Sequence, residues 1–260
     1  MTFEDKLEYH LNTHSYWETA YEDIDKVPEE EYAKIRMDYF GASDSSKLLE
    51  VNPFSLDPLK ELLNEKLTGK VDETIGKKAS VRMGKDIEPI ILKKAANLLK
   101  VDIYKPRNMY KDKTTILATN FDGVTEEFVP VEAKAVTRFG KKYYNFLNAE
   151  YNTNQGEAYE KPMLPKPKLK IEDFEDLQTY INKMAEYYGV PVYYYTQVQQ
   201  QILALNSQEG FLAVLDVENW DMHIFRIYKD DVTIREIKSR GSIYGVKLEI
   251  MKSNKKTLED

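Results

Sequence analysis

Thr119-Asn120-Phe121-Asp122-Gly123, followed after five residues by Val129-Pro130-Val131-Glu132-Ala133-Lys134, is the stretch whose reading decides the fold. Residues 114–119 and 128–136 have strand-like composition, and Asp122-Gly123 supplies a turn between them. Side chains alternate between faces along a strand, so Glu132 and Lys134 point the same way. If the two strands pair as a hairpin, Asp122 converges on Glu132. Two carboxylates at a sheet edge make a hard, oxygen-rich site suited to Mg²⁺ or Mn²⁺, and the Ala133 carbonyl between Glu132 and Lys134 is a further candidate ligand. Lys134 can orient an attacking water and offset charge developing on a phosphate. Phosphodiester hydrolysis needs this chemistry, because its leaving group is a poor alkoxide and its centre is ringed by negative oxygens. A solvated hairpin face would give the same Asp–nine residues–Glu-x-Lys spacing in a chain with 31% charged residues.

Outward from this stretch the pattern is helical on both sides. Upstream, residues 29–38 read as a helix with glutamates in its first turn, where the helix dipole favours them. Gly41 breaks that pattern, and Ser43 and Asp44 are cap residues before Lys47-Leu48-Leu49. Asp57-Pro58 opens another helix. Residues 76–100 carry the longest helical spacing of this half, through Ile87, Ile90, Ile91, Ala95 and Leu98, with a kink or restart expected at Pro89. Residues 101–104 read as a further strand. Downstream, residues 150–170 are polar and proline-bearing and read as a loop or an insertion. A helical region covers about 173–206, strands follow at 211–217 and 222–228, and a last helix lies beyond 230. Helices, a central meander, a helix and then strands imply the α/β (α+β) class, with a central mixed β-sheet flanked by helices.

The composition narrows the chemistry. With 260 residues and 42% hydrophobic content, the chain can bury a substantial core. It has no cysteine, which excludes disulfides, a thiol nucleophile and a thiolate zinc site. No apolar run approaches the ~20 residues that span a bilayer, and the first residues lack the order of a signal peptide. A cytoplasmic protein is the expectation, with no membrane partner. The net charge of −7 argues against nucleic acid until its distribution is examined. Residues 1–31 hold ten acids and two bases, so the remaining 35 bases and 34 acids nearly cancel. Residues 1–30 therefore read as an acidic N-terminal arm, and 31–260 as a single domain. Within that domain Lys134–Lys142 and Lys161–Lys170 are locally basic and free of acids.

Further elements complete a pattern: Arg36 with Gly41-Ala42-Ser43-Asp44, then Met83-Gly84-Lys85-Asp86-Ile87-Glu88-Pro89, and finally Tyr194-Tyr195-Thr196-Gln197-Val198-Gln199-Gln200-Gln201. In order with Asp122-Gly123 and Glu132-Ala133-Lys134, they resemble the lambda-exonuclease/YqaJ family of phage recombination exonucleases, within the PD-(D/E)xK nucleases. The resemblance runs from about Arg36 to Leu215. Phe121 stands where proline is commoner in that superfamily, which alters the turn and not the chemistry.

The resemblance implies a restriction-endonuclease-like core and a role for each matched position. Asp122, Glu132 and the Ala133 carbonyl bind Mg²⁺ (or Mn²⁺). Lys134 orients the nucleophile, Glu88 adds a carboxylate through a water, and Gln197 holds the scissile phosphate or the water. Arg36 and Ser43 grip the 5′-terminal phosphate, as a serine at a helix N-terminus beside an arginine can. It also implies 5′-to-3′ digestion of one strand at double-stranded DNA ends, a single-strand annealing protein as partner, a homotrimer, and phage or prophage coding in a bacterial host. Each residue has a plainer reading. Arg36 can end a helix at the surface, Ser43 can be only a cap, Glu88 can serve a helix restart, and the glutamines can form a polar helix face. A structure-specific endonuclease, a RecB-like repair nuclease and a non-catalytic DNA-binding protein remain alternatives. His10 and His14 lack a carboxylate motif to complete a zinc site, and His223 reads as structural. The tyrosines at 143, 144 and 193–195 suit base stacking or core packing.

Overall fold

A computed structural model describes residues 1–69 and 79–259. In chain order its elements begin with α1 (Phe3–His10), β1 (Trp17–Tyr21), α2 (Glu29–Arg36), β2 (Phe40–Gly41), α3 (Ser45–Leu48) and α4 (Pro58–Thr68). There follow α5 (Ala79–Leu99), β3 (Ile103–Tyr104), β4 (Met109–Asp112), β5 (Leu117–Thr119), β6 (Gly123–Thr125), β7 (Pro130–Val136) and α6 (Arg138–Lys141). The last are β8 (Tyr151–Asn154), β9 (Glu157–Glu160), α7 (Leu177–Tyr188), α8 (Val192–Leu205), β10 (Glu209–Asp216), β11 (Asp221–Tyr228) and α9 (Asp231–Glu259).

Among the described residues the strands form two sheets, a larger one in the order β3-β6-β7-β10-β11-β8-β9 and a smaller one in the order β1-β4-β5-β2. β7 and β10 pair in parallel at the centre of the larger sheet, with Glu132 opposite Leu212 and Lys134 opposite Val214. Alternation sorts their side chains. Val131, Ala133, Phe211, Ala213 and Leu215 pack with Ile91, Leu92 and Ala95 of α5. Leu212 and Val214 pack with Val198 and Ile202 of α8. The sheet is thus covered on both faces, and Glu132 and Lys134 lie on the α8 side. Capping supports this layering. Asp57 accepts from the Lys60 N–H at the start of α4 and Asp176 from the Thr179 N–H at the start of α7.

Several expectations change. Asp122-Gly123 does not join two hairpin strands. β5 belongs to the smaller sheet, while Gly123 begins β6, which pairs antiparallel with β7 (Gly123 opposite Val131). The glycine is there for space: a Cβ would lie 2.6 Å from Ile103 Cγ2 and 2.9 Å from Leu92 Cδ2. The acidic N-terminal stretch is folded, because Leu7, Leu11 and Trp17 are fully buried in the main core and β1 pairs with β4. Residues 151–160 form the β8–β9 hairpin rather than loop. α5 runs through Pro89 as one helix, with the proline on its exposed side; the first three residues of the helical pattern, 76–78, lie outside the described residues. Among the described residues no helix is long and apolar enough to cross a membrane.

Candidate active site

β7 presents Glu132 into a nearly closed space, where it is 1% exposed. Both of its oxygens are held from α8, since Gln197 Nε2 donates to Oε1 and Gln201 Nε2 to Oε2, each at 2.6 Å. Residues four apart share a helix face, so one turn of α8 delivers both amides. Lys134, two residues along β7, donates to Glu132 Oε1 and lies 3.9 Å from Asp122 Oδ2. Asp122 is aimed by the backbone, its Oδ2 accepting from the Ala133 N–H at 2.9 Å. The Lys134 ammonium also sits 5.2 Å from the centroid of the Tyr194 ring.

The electrostatics follow from burial. The Glu132 carboxyl is pushed up to about 7 by desolvation and by Asp122, with Lys134 opposing. Burial works to lower the Lys134 ammonium, but Glu132 and Asp122 outweigh it and raise it. Two carboxylates share one ammonium, so the cluster is short of positive charge. Glu88 of α5 is raised by burial and by Asp122, while Lys105, 3.0 Å away, pulls the other way.

Arg36 and Ser43 meet on an adjoining wall, with Arg36 Nη2 donating to Ser43 Oγ at 3.3 Å. They are braced from behind by Asp44, which is 3.6 Å from Arg36, 2.7 Å from Lys66, and accepts from the Gly41 N–H at 3.0 Å. Burial tends to raise Asp44, but the Lys66 and Arg36 charges hold it below the usual carboxylate range. Burial lowers Lys66.

One cavity of about 570 Å³ is bordered by Arg36, Ser43, Glu88, Asp122, Glu132, Lys134 and Gln197. All seven side chains of the nuclease pattern therefore reach the same space, and Ala133 contributes only backbone behind it. Among the described residues no three His, Cys, Asp or Glu side chains form a metal-holding group, and Glu88 is engaged with Lys105 instead of joining Asp122 and Glu132. Sequence reasoning missed Gln201, Lys105 and the Asp44–Lys66 brace. The four-residue step from Gln197 was the available signal for Gln201; Lys105 and Lys66 left none, since their partners are distant in sequence. The other candidates have local duties. His10 lies 2.7 Å from the Leu205 carbonyl and stacks on Phe128, and His223 contacts Asn152 and stacks on Phe146.

Residues 31–205 match the model of the YqaJ-like viral recombinase domain, two thirds of the chain. The chain belongs to that family. No curated protein matches it. Among solved structures it is similar to an alkaline exonuclease (LHK-Exo) from Laribacter hongkongensis, at 17% identity and a TM-score of 0.58. It is also similar to LHK-Exo in complex with dAMP, at 17% identity and a TM-score of 0.56. Each match covers 88% of this chain and 98% of the other. The shared architecture is an α/β fold, a mixed sheet flanked by helices. Family and fold together support a nuclease.

Proposed function

We propose that this YqaJ-family protein is a metal-dependent 5′-to-3′ exodeoxyribonuclease that degrades one strand of linear duplex DNA and leaves 3′ single-stranded ends for phage-type recombination by strand annealing. One observation carries the reading: the same cavity is bordered by the Asp122–Glu132–Lys134 cluster and by the Arg36–Ser43 pair. A phosphate site beside a hydrolytic site measures from a strand end, which an endonuclease does not need.

The residues fit a divalent cation, because the donors are hard oxygens and the cluster has one ammonium for two carboxylates. Asp122, Glu132 and the Ala133 carbonyl would hold Mg²⁺, or Mn²⁺. When bound, the ion supplies the positive charge that lowers the pKa of the attacking water and neutralises the phosphate. Gln197 and Gln201 keep both Glu132 oxygens oriented, so that the carboxylate need not reorganise. Lys134 places its ammonium against the water and the phosphate oxygens. Glu88 and Lys105 form a second charged pair on the cavity wall, placed to order water there. Arg36 and Ser43 hold the 5′-terminal phosphate by charge-assisted and hydroxyl hydrogen bonds. Phosphate contacts dominate such binding, so base preference is slight.

The same reading assigns 31–260 as the exonuclease domain, double-stranded DNA ends as substrate, a single-strand annealing protein as partner, and a homotrimer. It places the protein in the cytoplasm of a bacterial host, encoded by a phage or prophage. The test is digestion of linear duplex labelled at one 5′ end, with 5′-phosphate or 5′-hydroxyl, in Mg²⁺ or EDTA, beside Lys134→Ala. Metal-dependent release of labelled mononucleotide, faster from 5′-phosphate ends and lost in the variant, is expected. Cleavage of closed circular duplex would refute the end-dependent reading.

A further inference from the structure

A second cavity, of about 660 Å³, opens beside the N-terminal turn of α8 and is bordered by Phe54, Lys142, Tyr143, Tyr144 and Tyr193. Tyr193 and Gln197 are four residues apart on α8, one turn or roughly 6 Å along its axis. They therefore place this cavity next to the candidate active site. The rings connect the two: Lys134 sits against Tyr194, whose ring centroid is 4.4 Å from that of Tyr193, and Tyr193 lies 5.3 Å from Phe54.

The cavity is a constructed feature. Gly189, at φ +74°, ends α7 and accepts the Asn145 N–H at 2.8 Å, and a Cβ there would lie 2.8 Å from the Asn145 carbonyl oxygen. That contact anchors segment 145–148 along one side. Across from it Phe54 is 67% exposed, yet its loop is set by its own N–H donating to Asn52 Oδ1 at 3.0 Å, and Asn52 in turn donates to Ser46. A large apolar ring fixed in solvent beside two tyrosines is a poor arrangement for an isolated chain. The charge at the rim is positive: Lys142 stands 4.9 Å from the Tyr143 ring and makes no ion pair among the described residues, whereas the nearby Glu186 is paired with Lys183 at 2.6 Å. Exposed aromatic faces with an unpaired lysine suit a base and its phosphate, and neither an anionic peptide nor a lipid needs stacked rings.

Resting on the exonuclease reading, we propose that this cavity is a nucleotide subsite. It takes the unpaired base immediately 3′ of the scissile phosphate, stacked on the exposed face of Phe54, whose ring leans on Tyr193, with Lys142 at its backbone. The terminal phosphate at Arg36–Ser43 and this base then hold the strand on both sides of the bond to be broken. Tyr195, by contrast, is fully buried and donates to Asp230 at 2.8 Å, so it belongs to the core.

The test uses a 5′-phosphorylated single-stranded oligonucleotide with 2-aminopurine as its second base, titrated with the full-length protein in EDTA so that no cleavage occurs. Quenching on binding is expected, and little quenching when the probe is the sixth base. Phe54→Ala and Tyr193→Ala should each weaken binding about tenfold and relieve the quenching, while Tyr193→Phe keeps both. Phe54 is outside the core, so its removal leaves the thermal midpoint unchanged and a lost signal reports the subsite. Quenching that persists in both alanine variants, that is equal at the sixth base, or that never occurs with the wild type would overturn the proposal; a pocket built for a protein partner gives the last result. Binding is read without metal, so a failed subsite leaves cleavage of linear duplex intact, and a failed nuclease reading leaves the quenching intact.

Discussion

Replacing Lys66 by methionine tests whether the Asp44 brace positions Arg36 for the proposed phosphate site. Lys66 is nearly buried, donates to Asp44 at 2.7 Å, and also donates to the Arg36 carbonyl at 2.9 Å in the last turn of α2. Methionine preserves the apolar stem, so the loss is the ammonium and its two hydrogen bonds. Breaking a buried ion pair costs ~3–5 kcal/mol because the remaining charge is stranded. Here Arg36, 3.6 Å from the other Asp44 oxygen, can take up part of the charge, which puts the expected cost at the lower end, about 3 kcal/mol. For a chain of this size that is a fall in thermal midpoint of roughly 6–12 °C. The compensation has a functional consequence: Arg36 closes on Asp44, moves away from Ser43, and offers less to an incoming phosphate. The preference for 5′-phosphate over 5′-hydroxyl ends should therefore drop about tenfold or more, one lost charged hydrogen bond, while cleavage of 5′-hydroxyl ends changes little at a temperature where the variant is folded. Scanning calorimetry and paired initial rates on the two substrates measure these effects. A midpoint within 2 °C of wild type together with an unchanged end preference would show that the Asp44–Lys66 pair does not position Arg36.

Gln201→Leu leaves Glu132 Oε2 without its donor in a buried site, which should cost about 1.5–3 kcal/mol by urea unfolding and reduce kcat by at least an order of magnitude; wild-type stability and kcat would remove Gln201 from the site. Burial and Asp122 raise Glu132 to about 7, so the metal-free protein loses stability as pH climbs from the ordinary carboxylate value toward 7. A cation that needs the ionised carboxylate then competes with its proton below 7. Mn²⁺ should bind about tenfold more weakly at pH 6 than at pH 8 by calorimetric titration, and equal affinities would contradict the assignment of Glu132 as a ligand. Gly123→Ala forces a Cβ against Ile103 and Leu92 at 2.6 and 2.9 Å. It should destabilise by about 1–3 kcal/mol and lower activity by displacing Asp122 next to it; unfolding and turnover at wild-type levels would show that the packing has room.

What the sequence made legible was governed by periodicity and by face. α5, β7, β10 and β11 bury continuous or alternating apolar sets, and their positions followed from spacing and composition, whereas the single helical region read over about 173–206 is broken at Gly189 into α7 and α8. The two-residue step from Glu132 to Lys134 and the four-residue step from Gln197 to Gln201 are likewise local facts that geometry converts into a site. Elements of two or three residues, such as β2 and β6, carry too few side chains to show a period. Asp122-Gly123 misled for a physical reason: glycine marks turns because it tolerates positive φ, but here it marks the close approach of α5. The acidic residues at the N-terminus masked an apolar set, Leu7, Leu11 and Trp17, whose first two members share a helix face. Lys66 and Lys105 act through partners 22 and 17 residues away in sequence, and only the folded chain brings them together.

The glutamine run of α8 explains how two sheets can share one site. Consecutive residues on a helix point about 100° apart, so Gln199, Gln200 and Gln201 cannot serve one surface. Gln200 donates to the Phe40 and Ala118 carbonyls, which belong to the smaller sheet, and accepts from Ser45 at 2.6 Å, next to the Asp44 brace. Gln199 donates to the Tyr228 carbonyl on β11 of the larger sheet and accepts the Asp230 N–H. Gln197 and Gln201 hold Glu132 on β7. Arg36 and Ser43 flank the smaller sheet, and Asp122, Glu132 and Lys134 lie at or on the larger one. Their separation is therefore set by α8, whose buried amides bond to both. Apolar side chains in those positions could pack as densely, but they would not fix the offset, because hydrophobic contact is non-directional and buried hydrogen bonds are not. The proposed reaction, which must place a terminal phosphate and the next phosphodiester at once, would need that offset, and a buried polar run in a core helix is what would supply it.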